Sequence, residues 1–358
     1  MKRSLKPRPE RPAREVSARE ALAARLPAID VRAPVEFEKG AMPGAVNLPI
    51  LNDAERSQVG TTYKAHGAEA ARRLGFELVS GATRAARIQS WAEALEAQPD
   101  AVLYCWRGGE RSAIATRWLA DAGHLPPRVV GGYKALRQVC LDVLNVSDST
   151  TRRWWVLAGR TGSGKTDVIR ALDGAIDLEG LAAHRGSAFG ARDAPQPSPA
   201  TFENHLACAM LAREGQPVVL EDESRTIGRL AVPEAVHNAM QQAPLALLEI
   251  PFEARVANIR REYVDERLPG SSAAALHEHY QGSLDRIRRR LGGERHKAVT
   301  EAMALAFNGG SHDEWIGLLL EWYYDPMYDY QLERKAERVQ FTGTTAAVTE
   351  FLAERLSV

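Results

Sequence analysis

Residues 159–166 read GRTGSGKT and directly follow the apolar run WWVLA at 154–158. A glycine, four further residues and then Gly-Lys-Thr make a complete phosphate-binding loop, which needs a strand before it and a helix after it. The motif therefore predicts a strand, a tight loop and a helix over 154–172, within an α/β domain that has a parallel sheet. Lys165 is predicted to bridge terminal phosphates, and Thr166 to hold Mg²⁺ where a metal is bound. The predicted phosphate-binding residues are Gly159, Arg160, Thr161, Gly162, Ser163, Gly164, Lys165 and Thr166.

Two later segments supply candidate partners for this phosphate loop. The apolar run 217–220 leads into Glu221, Asp222 and Glu223, an acidic strand end of the Walker B type. Side chains alternate along a strand, so the sequence leaves open which of the three faces the phosphates, with Asp222 as the candidate that joins Thr166 at a magnesium ion. Residues 176–190 follow another predicted strand, and their mixture of acid, base, guanidinium and glycine turns predicts an acceptor loop. Its candidate residues are Asp177, Glu179, His184 and Arg185.

A cysteine lies at the end of a second predicted strand, in the N-terminal half of the chain. The apolar residues 102–104 run into Cys105, and CWRGGERS at 105–112 leads into a predicted helix over 112–122. A Gly-Gly turn and a helix N-terminus beyond the strand make an anion nest, which favours the thiolate. The predicted catalytic residues of this cysteine loop are Cys105, Arg107, Gly108, Gly109 and Arg111.

Three ordered patches resemble rhodanese domains over roughly residues 15–140. They are DVR, EF and GAMPGAVNLP within 30–49, YCWRGGERS at 104–112, and VGGYK at 130–134. The six-residue step from Cys105 to Arg111 is also the C-x5-R spacing of cysteine phosphatases. A thiosulfate-type sulfurtransferase or a C-x5-R phosphatase with an appended NTPase is therefore an alternative function, and a non-catalytic, nucleotide-switched RNA-binding protein is another.

The order of five motifs resembles the tRNA 2-selenouridine synthase family over nearly the whole chain. The motifs are CWRGGERS, GRTGSGKT, DLEGLAAHRGSAFG, LEDESRTIG and YYDPMYDYQL. The resemblance implies an enzyme that replaces the sulfur of 2-thiouridine, at the wobble position of tRNA, with selenium from selenophosphate. It also implies geranylation of that sulfur from geranyl diphosphate, with the geranylated base as the intermediate that selenium displaces.

The resemblance gives each predicted loop a role. The phosphate loop would bind the diphosphate of geranyl diphosphate, and Cys105 would carry selenium as a perselenide or in another covalent form. The implied partners are the anticodon stem-loop of a tRNA that carries 2-thiouridine and an enzyme that supplies selenophosphate. No tightly bound cofactor is implied, and the co-substrates are selenophosphate and geranyl diphosphate, with Mg²⁺ as an addition.

The predicted fold class is α/β. Strands at 28–31, 102–104 and 128–130 alternate with helices, which predicts an N-terminal rhodanese-like domain with a parallel sheet. A P-loop NTPase-like α/β domain with a helical C-terminal extension follows. The predicted divisions are a basic disordered tail at 1–14, the rhodanese-like domain at 15–145, the P-loop core at 150–252, and a helical part at 253–358 that contacts tRNA.

Charge and cysteine content limit the location and the partners. Lys plus Arg and Asp plus Glu both number 46, so any surface for RNA must be local. The three cysteines are far apart, which disfavours a disulfide framework and agrees with a reducing cytoplasm. No apolar run approaches about 20 residues, so no membrane span is predicted. The candidate RNA-binding residues are Arg260, Arg261, Arg288, Arg289, Tyr323, Tyr324 and Tyr328.

Overall fold

The computed structural model describes residues 14–145, 153–191 and 194–357. These residues form two compact units. The first contains the described residues of 1–143 together with 203–212, and the second contains those of 144–202 and 213–358. The predicted tail lies outside the described residues except for Arg14, as do residues 146–152 of the segment between the predicted domains.

In its described part, the first unit is built on a five-stranded sheet of order β1-β5-β4-β2-β3, in which every neighbouring pair is parallel. The strands are β1 (Glu15–Val16), β2 (Ala28–Asp30), β3 (Ala45–Asn47), β4 (Val102–Tyr104) and β5 (Arg128–Val129). The helices are α1 (Ala18–Ala23), α2 (Pro34–Glu38), α3 (Asp53–Leu78), α4 (Gly81–Ala97), α5 (Glu110–Asp121) and α6 (Gly132–Leu144).

Helices and sheet of the first unit are joined by an apolar core. Trp91 of α4 and Trp118 of α5 are buried and stack with ring centroids 6.2 Å apart, and they pack with Ile29 and Leu103 of the sheet. The long helix α3 starts at a capping box, in which Asn52 accepts from the Glu55 amide.

In its described part, the second unit contains a five-stranded parallel sheet of order β12-β11-β6-β8-β7 and an antiparallel pair of β9 and β10. The strands are β6 (Trp154–Gly159), β7 (Ala175–Ile176), β8 (Val218–Glu221), β9 (Thr226–Ile227), β10 (Leu230–Ala231), β11 (Leu245–Leu248) and β12 (Val339–Gly343). The helices are α7 (Lys165–Ala171), α8 (Leu178–Leu181), α9 (Pro199–Leu211), α10 (Glu234–Gln242), α11 (Phe252–Arg260), α12 (Ala273–Leu291), α13 (Gly293–Phe307), α14 (Asp313–Leu319), α15 (Asp325–Glu333) and α16 (Thr345–Leu356). Helix α9 continues into segment 203–212 of the first unit.

The predicted α/β fold class, with its helical C-terminal extension, is confirmed. The helices after β11 enclose a second apolar core around Tyr280, Leu284, Met303 and Trp315. The strand β12 interrupts this helical region and pairs in parallel with β11, an element that the sequence analysis did not predict. Among the described residues, no helix combines the length and the apolar character that a membrane crossing requires.

Candidate functional site

The cysteine loop leaves the sheet at the carboxyl end of β4, between β2 and β5. Cys105 is buried, with 1% of its surface exposed, and Gly108 and Gly109 both have positive φ, at 73° and 74°. This left-handed pair turns the chain into α5, so backbone N–H groups and a helix N-terminus gather beside the sulfur. The Ser112 hydroxyl lies 3.5 Å from the Cys105 sulfur and 3.1 Å from the Gly109 carbonyl oxygen, and its single proton serves one of them at a time.

The backbone of the cysteine is held from the opposite side by the start of α6. The Tyr133 amide donates to the Cys105 carbonyl oxygen at 2.7 Å, and the Trp106 ring stacks on Tyr133 with centroids 5.5 Å apart. Glycine is required at position 132, because a Cβ there would stand 2.4 Å from the Cys105 carbonyl oxygen. The clamp leaves the exposed segment 106–108 as the part of the loop that faces solvent.

The two arginines of the cysteine loop do not converge on the sulfur. Arg111 forms a two-pronged ion pair with Glu36 of α2, at 2.5 and 3.1 Å, and Arg107 is exposed. Burial alone would raise the pKa of Glu36, but the hydrogen bonds and the charge of Arg111 outweigh it and lower the pKa. Neither arginine is therefore assigned a role at the sulfur, and the backbone nest is left as the anion site of the loop.

The phosphate loop leaves the central strand β6 of the second sheet and enters α7. Gly162 and Gly164 have φ of 80° and 81°, a conformation that gives the loop its closed shape. The Lys165 ammonium group donates to the Gly159 carbonyl oxygen at 2.7 Å and so folds back across the loop. The side chain that would meet terminal phosphates is therefore already positioned over the nest.

Side chains of α11 support the phosphate loop from behind, and the sequence analysis had not assigned them this role. Arg255 donates to the Thr161 carbonyl oxygen at 3.0 Å and pairs with Asp325, while the Asn258 amide donates to the Gly162 carbonyl oxygen at 3.0 Å. No local sequence pattern predicts these contacts, because about 100 residues of chain separate each donor from its acceptor in the phosphate loop. These contacts hold the carbonyl oxygens of Thr161 and Gly162 toward α11, so the amides of the loop are left to face a phosphate.

Glu179, Glu221 and Glu223 converge beside Lys165 and Thr166. The Thr166 hydroxyl lies 3.4 Å from carboxylate oxygens of both Glu179 and Glu221, and the Glu221 carboxylate accepts from the Glu179 amide at 3.2 Å. Burial raises the pKa of Glu221 well above its ordinary value, and the charges of Glu179 and of nearby acids raise it further. The crowding of acids next to a phosphate loop is an arrangement that a divalent cation would relieve.

Asp222, the sequence candidate for a magnesium ligand beside Thr166, takes a different role. Its carboxylate forms an ion pair with Lys335 at 2.7 and 2.9 Å, and Glu221 stands beside Thr166 instead. The Thr166 hydroxyl and the Glu221 carboxylate fit a magnesium ion, which takes one or two carboxylates together with phosphate oxygens and water. In the described part of the chain, no three or more His, Cys, Asp or Glu side chains are grouped as a metal cage.

The acceptor loop contributes one of its four candidates to this site. Glu179 joins the carboxylate cluster, whereas Asp177 caps α8 by accepting from the Gly180 amide at 2.5 Å. Arg185 lies 3.4 Å from Glu262 and over the ring of Tyr263, and His184 pairs through its backbone with Ala191. The loop is thus a folded element held by contacts within itself and with Glu262 and Tyr263, and Glu179 is its link to the phosphate loop.

Comparisons with known proteins agree with both halves of this geometry. A rhodanese-like domain model matches residues 15–138, and a model described as the tRNA 2-selenouridine synthase AAA domain matches residues 152–357. The chain belongs to the tRNA 2-selenouridine synthase family. Three similar relatives carry the name tRNA 2-selenouridine synthase. That of Pseudomonas fluorescens is 47% identical over 92% of this chain and 94% of its own, and that of Azotobacter vinelandii has the same three values. That of Hahella chejuensis is 45% identical over 92% of each chain.

The residues predicted to contact RNA in this family member fall into two groups. Arg260 binds Asp313 at 2.7 and 2.8 Å, and Arg261 lies 3.1 Å from Asp167, so both have acidic partners, whereas Arg288 and Arg289 are exposed at the end of α12.

The aromatic candidates also divide. Tyr323 and Tyr324 are buried in the helical core, which corrects their prediction as RNA-binding residues. Tyr328 is half-buried and shares a small pocket with Arg160 and Ser163 of the phosphate loop. The arginines at the end of α12 are thus the RNA candidates that solvent reaches most readily.

The carboxyl group of Glu223 should make the stability of the folded protein depend on pH. Burial, followed by the charge of Glu179, raises its pKa to about 8, so the folded protein holds this proton more tightly than the unfolded chain. The stabilisation from this proton is complete below the ordinary carboxyl pKa and is lost as the pH rises through 8. Glu223→Gln should therefore be at least about 1 kcal/mol more stable than the wild type at pH 9, with a smaller difference at pH 5, in urea unfolding. Glu350→Gln, at an exposed position of α16, is the control, and an equal pH dependence in all three proteins would contradict the assignment.

Proposed function

We propose that this family member is a transferase that acts on tRNA in two stages. In the first, the sulfur of a wobble 2-thiouridine receives a geranyl group from geranyl diphosphate. In the second, selenium from selenophosphate replaces the geranylated sulfur. The supporting observation is that this chain contains both sites. Its cysteine is buried in a Gly-Gly nest, and the lysine of its phosphate loop lies over that loop.

The first stage uses the phosphate loop to hold a leaving group. The sulfur of 2-thiouridine attacks C1 of geranyl diphosphate, the C1–O bond breaks, diphosphate departs, and the base loses its N3 proton. Charge develops on diphosphate as the bond breaks, so fixed backbone amides and the Lys165 ammonium group stabilise the transition state more than the ground state. Thr166 and Glu221 would hold a magnesium ion, which supplies further neutralisation of the leaving group when bound.

The second stage is redox-neutral if Cys105 accepts the phosphoryl group. Its thiolate attacks the phosphorus of selenophosphate, the P–Se bond breaks, and hydrogen selenide anion is released while a cysteinyl phosphate forms. The selenide adds to C2 of the geranylated base, the C2–S bond breaks, and geranylthiolate departs as the proton passes to N3. Water then hydrolyses the cysteinyl phosphate. A perselenide on Cys105 would hold selenium two electrons more oxidised than selenophosphate, so the phosphoryl route balances without an added oxidant.

The burial of Cys105 sets a condition on this stage. A donor anion reaches the sulfur only after the exposed residues Arg107 and Gly108 move, because Cys105 itself has 1% of its surface exposed. The amides of Tyr133 and Lys134 hold the carbonyl oxygens of Cys105 and Trp106, so the movement is confined to the part of the loop that follows Trp106.

A reconstituted reaction tests the proposal. The full chain is mixed with an anticodon stem-loop RNA that carries 2-thiouridine, then with geranyl diphosphate and Mg²⁺, and then with selenophosphate, and nucleosides are identified by mass spectrometry. The expected result is S-geranyl-2-thiouridine after the first addition and 2-selenouridine after the second. Failure to form either nucleoside, together with turnover of an aryl phosphate or of thiosulfate, would support a phosphatase or a general sulfurtransferase instead.

A further inference from the structure

A large cavity opens in the first unit next to the cysteine loop. Its volume is about 590 Å³, within the roughly 300 to 1,000 Å³ of sites for small organic ligands. Helix α3 breaks at Gly67, where φ is 81°, and both arms of the broken helix line the cavity together with α5. The break thus creates the space between the arms.

The inside of the cavity is apolar. Its lining includes Leu51, Val59, Phe76, Val79, Ile114 and Trp118. Phe76 is 44% exposed and Tyr63, at the mouth, is 60% exposed, so large apolar groups face solvent at this position. Apolar side chains that are exposed as a group around a concave surface are typical of a ligand-binding site, whereas single exposed apolar residues are ordinary.

The rim of the cavity carries an excess of positive charge. Four cations border it, and two of them are neutralised: Arg72 pairs with Glu110 at 2.7 Å, and Arg111 pairs with Glu36. Among the described residues, the side chains of the other two, Arg56 and Lys64, have no acidic partner within ion-pair distance, and both are exposed. The rim is therefore complementary to an anion that also carries an apolar group.

The first turns of α5 connect the cavity to the sulfur. Glu110, Arg111 and Ile114 line the cavity, and Ser112 of the same helix contacts the Cys105 sulfur at 3.5 Å. A ligand whose apolar chain fills the cavity has its polar end at the entrance to the cysteine loop.

From these observations we infer that the cavity binds the geranyl chain of S-geranyl-2-thiouridine in tRNA, while Arg56 and Lys64 contact the neighbouring RNA phosphates. The inference rests on the proposed function and adds the site at which the intermediate is held for selenium exchange. The chain fills the apolar interior, the phosphates meet the two unneutralised cations, and C2 of the base faces the cysteine loop. Free geranyl diphosphate is the competing occupant, and it is an outcome of the test.

Gly75 allows the cavity to be filled without disturbing the fold. It lies in the second arm of α3 with an ordinary helical φ, and an added Cβ would meet only a methyl group of Val59, at 3.9 Å. A leucine at this position projects across the cavity toward Val59, and it raises the helix propensity. Gly282→Leu in α12 is the matched control, since an added Cβ there meets nothing within 4 Å.

The experiment measures the affinity of full-length protein for two anticodon stem-loop RNAs, one with S-geranyl-2-thiouridine and one with S-methyl-2-thiouridine. The wild type should bind the geranyl RNA at least about 10-fold more tightly, because burial of only about two methylene groups supplies that factor. Gly75→Leu should lose the preference and keep its affinity for the methyl RNA, whereas Gly282→Leu should retain the preference. Replacement of Arg56 and Lys64 by glutamine should weaken the binding of both RNAs equally and lower its salt dependence.

Two results would overturn the inference. One is an unchanged geranyl preference in Gly75→Leu, and the other is competition by free geranyl diphosphate for the cavity with no preference between the RNAs. Neither depends on turnover, so a wild type that prefers the geranyl RNA but makes no 2-selenouridine would refute the proposed reaction and leave the site in place. Circular dichroism and thermal unfolding of each variant verify that the fold is intact.

Discussion

Lys165→Ala should slow geranyl transfer to 2-thiouridine by about 100- to 1,000-fold. In the folded protein the ammonium group is already placed over the phosphate loop by its 2.7 Å bond to the Gly159 carbonyl oxygen. Diphosphate gains negative charge as the C1–O bond of the geranyl donor breaks, and a fixed cation in a nest of amides stabilises that charge. The measurement is a single-turnover assay of S-geranyl-2-thiouridine formation with saturating RNA.

The same variant separates the two stages of the reaction. Lys165→Ala should still convert an RNA that is already geranylated into its selenium form, because that stage needs no diphosphate site. Lys297→Ala removes a lysine from the exposed face of α13 and is the control for a general loss of charge. Geranyl transfer at the wild-type rate in Lys165→Ala would assign the diphosphate to another site, and the rim of the cavity next to α5 would be the first to examine.

The cysteine loop and the phosphate loop were predictable from the sequence, because each motif requires a particular backbone conformation. Glycines that adopt positive φ, a strand before the loop and a helix after it are all local properties, and residues 102–112 and 154–171 fold as those patterns predicted. Strand β12 was missed because its five residues, VQFTG, are only partly buried at an edge of the sheet and lie among helices. Its pairing with β11 is a long-range property of the sheet.

The face that each acidic side chain presents depends on register rather than on composition. Strand β8 ends at Glu221, and the Glu223 amide donates back to the Glu221 carbonyl oxygen at 2.9 Å, so the alternation of a strand does not extend to Asp222 and Glu223. The pairing of Leu157 with Glu221 between β6 and β8 decides that Glu221 faces Thr166. Asp222 points to Lys335, a partner so distant in sequence that no local pattern reveals it.

Arginines were the least predictable part of the candidate sites. Their charge suggested anion binding, yet Arg111, Arg260 and Arg261 each bind a carboxylate of their own unit. An arginine that is buried or half-buried is stable only with such a partner, and the partner is set by packing. The cavity beside α5 was invisible for a related reason, because it arises from the bend of α3 at Gly67, a residue that the helix pattern alone does not single out.

Cys105→Ser should stop selenium transfer while geranyl transfer continues, so that S-geranyl-2-thiouridine accumulates. Serine is close to cysteine in size and keeps the contact with Ser112, so the loop should fold as before. A serine hydroxyl is a far weaker nucleophile than the sulfur of a cysteine, and the expected loss is at least about 1,000-fold in the rate of 2-selenouridine formation.

Intact-protein mass spectrometry distinguishes the chemical roles of the cysteine. Wild-type protein mixed with selenophosphate should gain the mass of a phosphoryl group, and Cys105→Ser should not, whereas a gain equal to selenium would establish a perselenide and with it the need for an oxidant. Cys208→Ser, at a half-buried cysteine, should behave like the wild type. Undiminished formation of 2-selenouridine by Cys105→Ser would show that the cysteine takes no part in the reaction. In that case selenophosphate would attack C2 directly, and the nest of Gly108 and Gly109 would serve only to bind the donor.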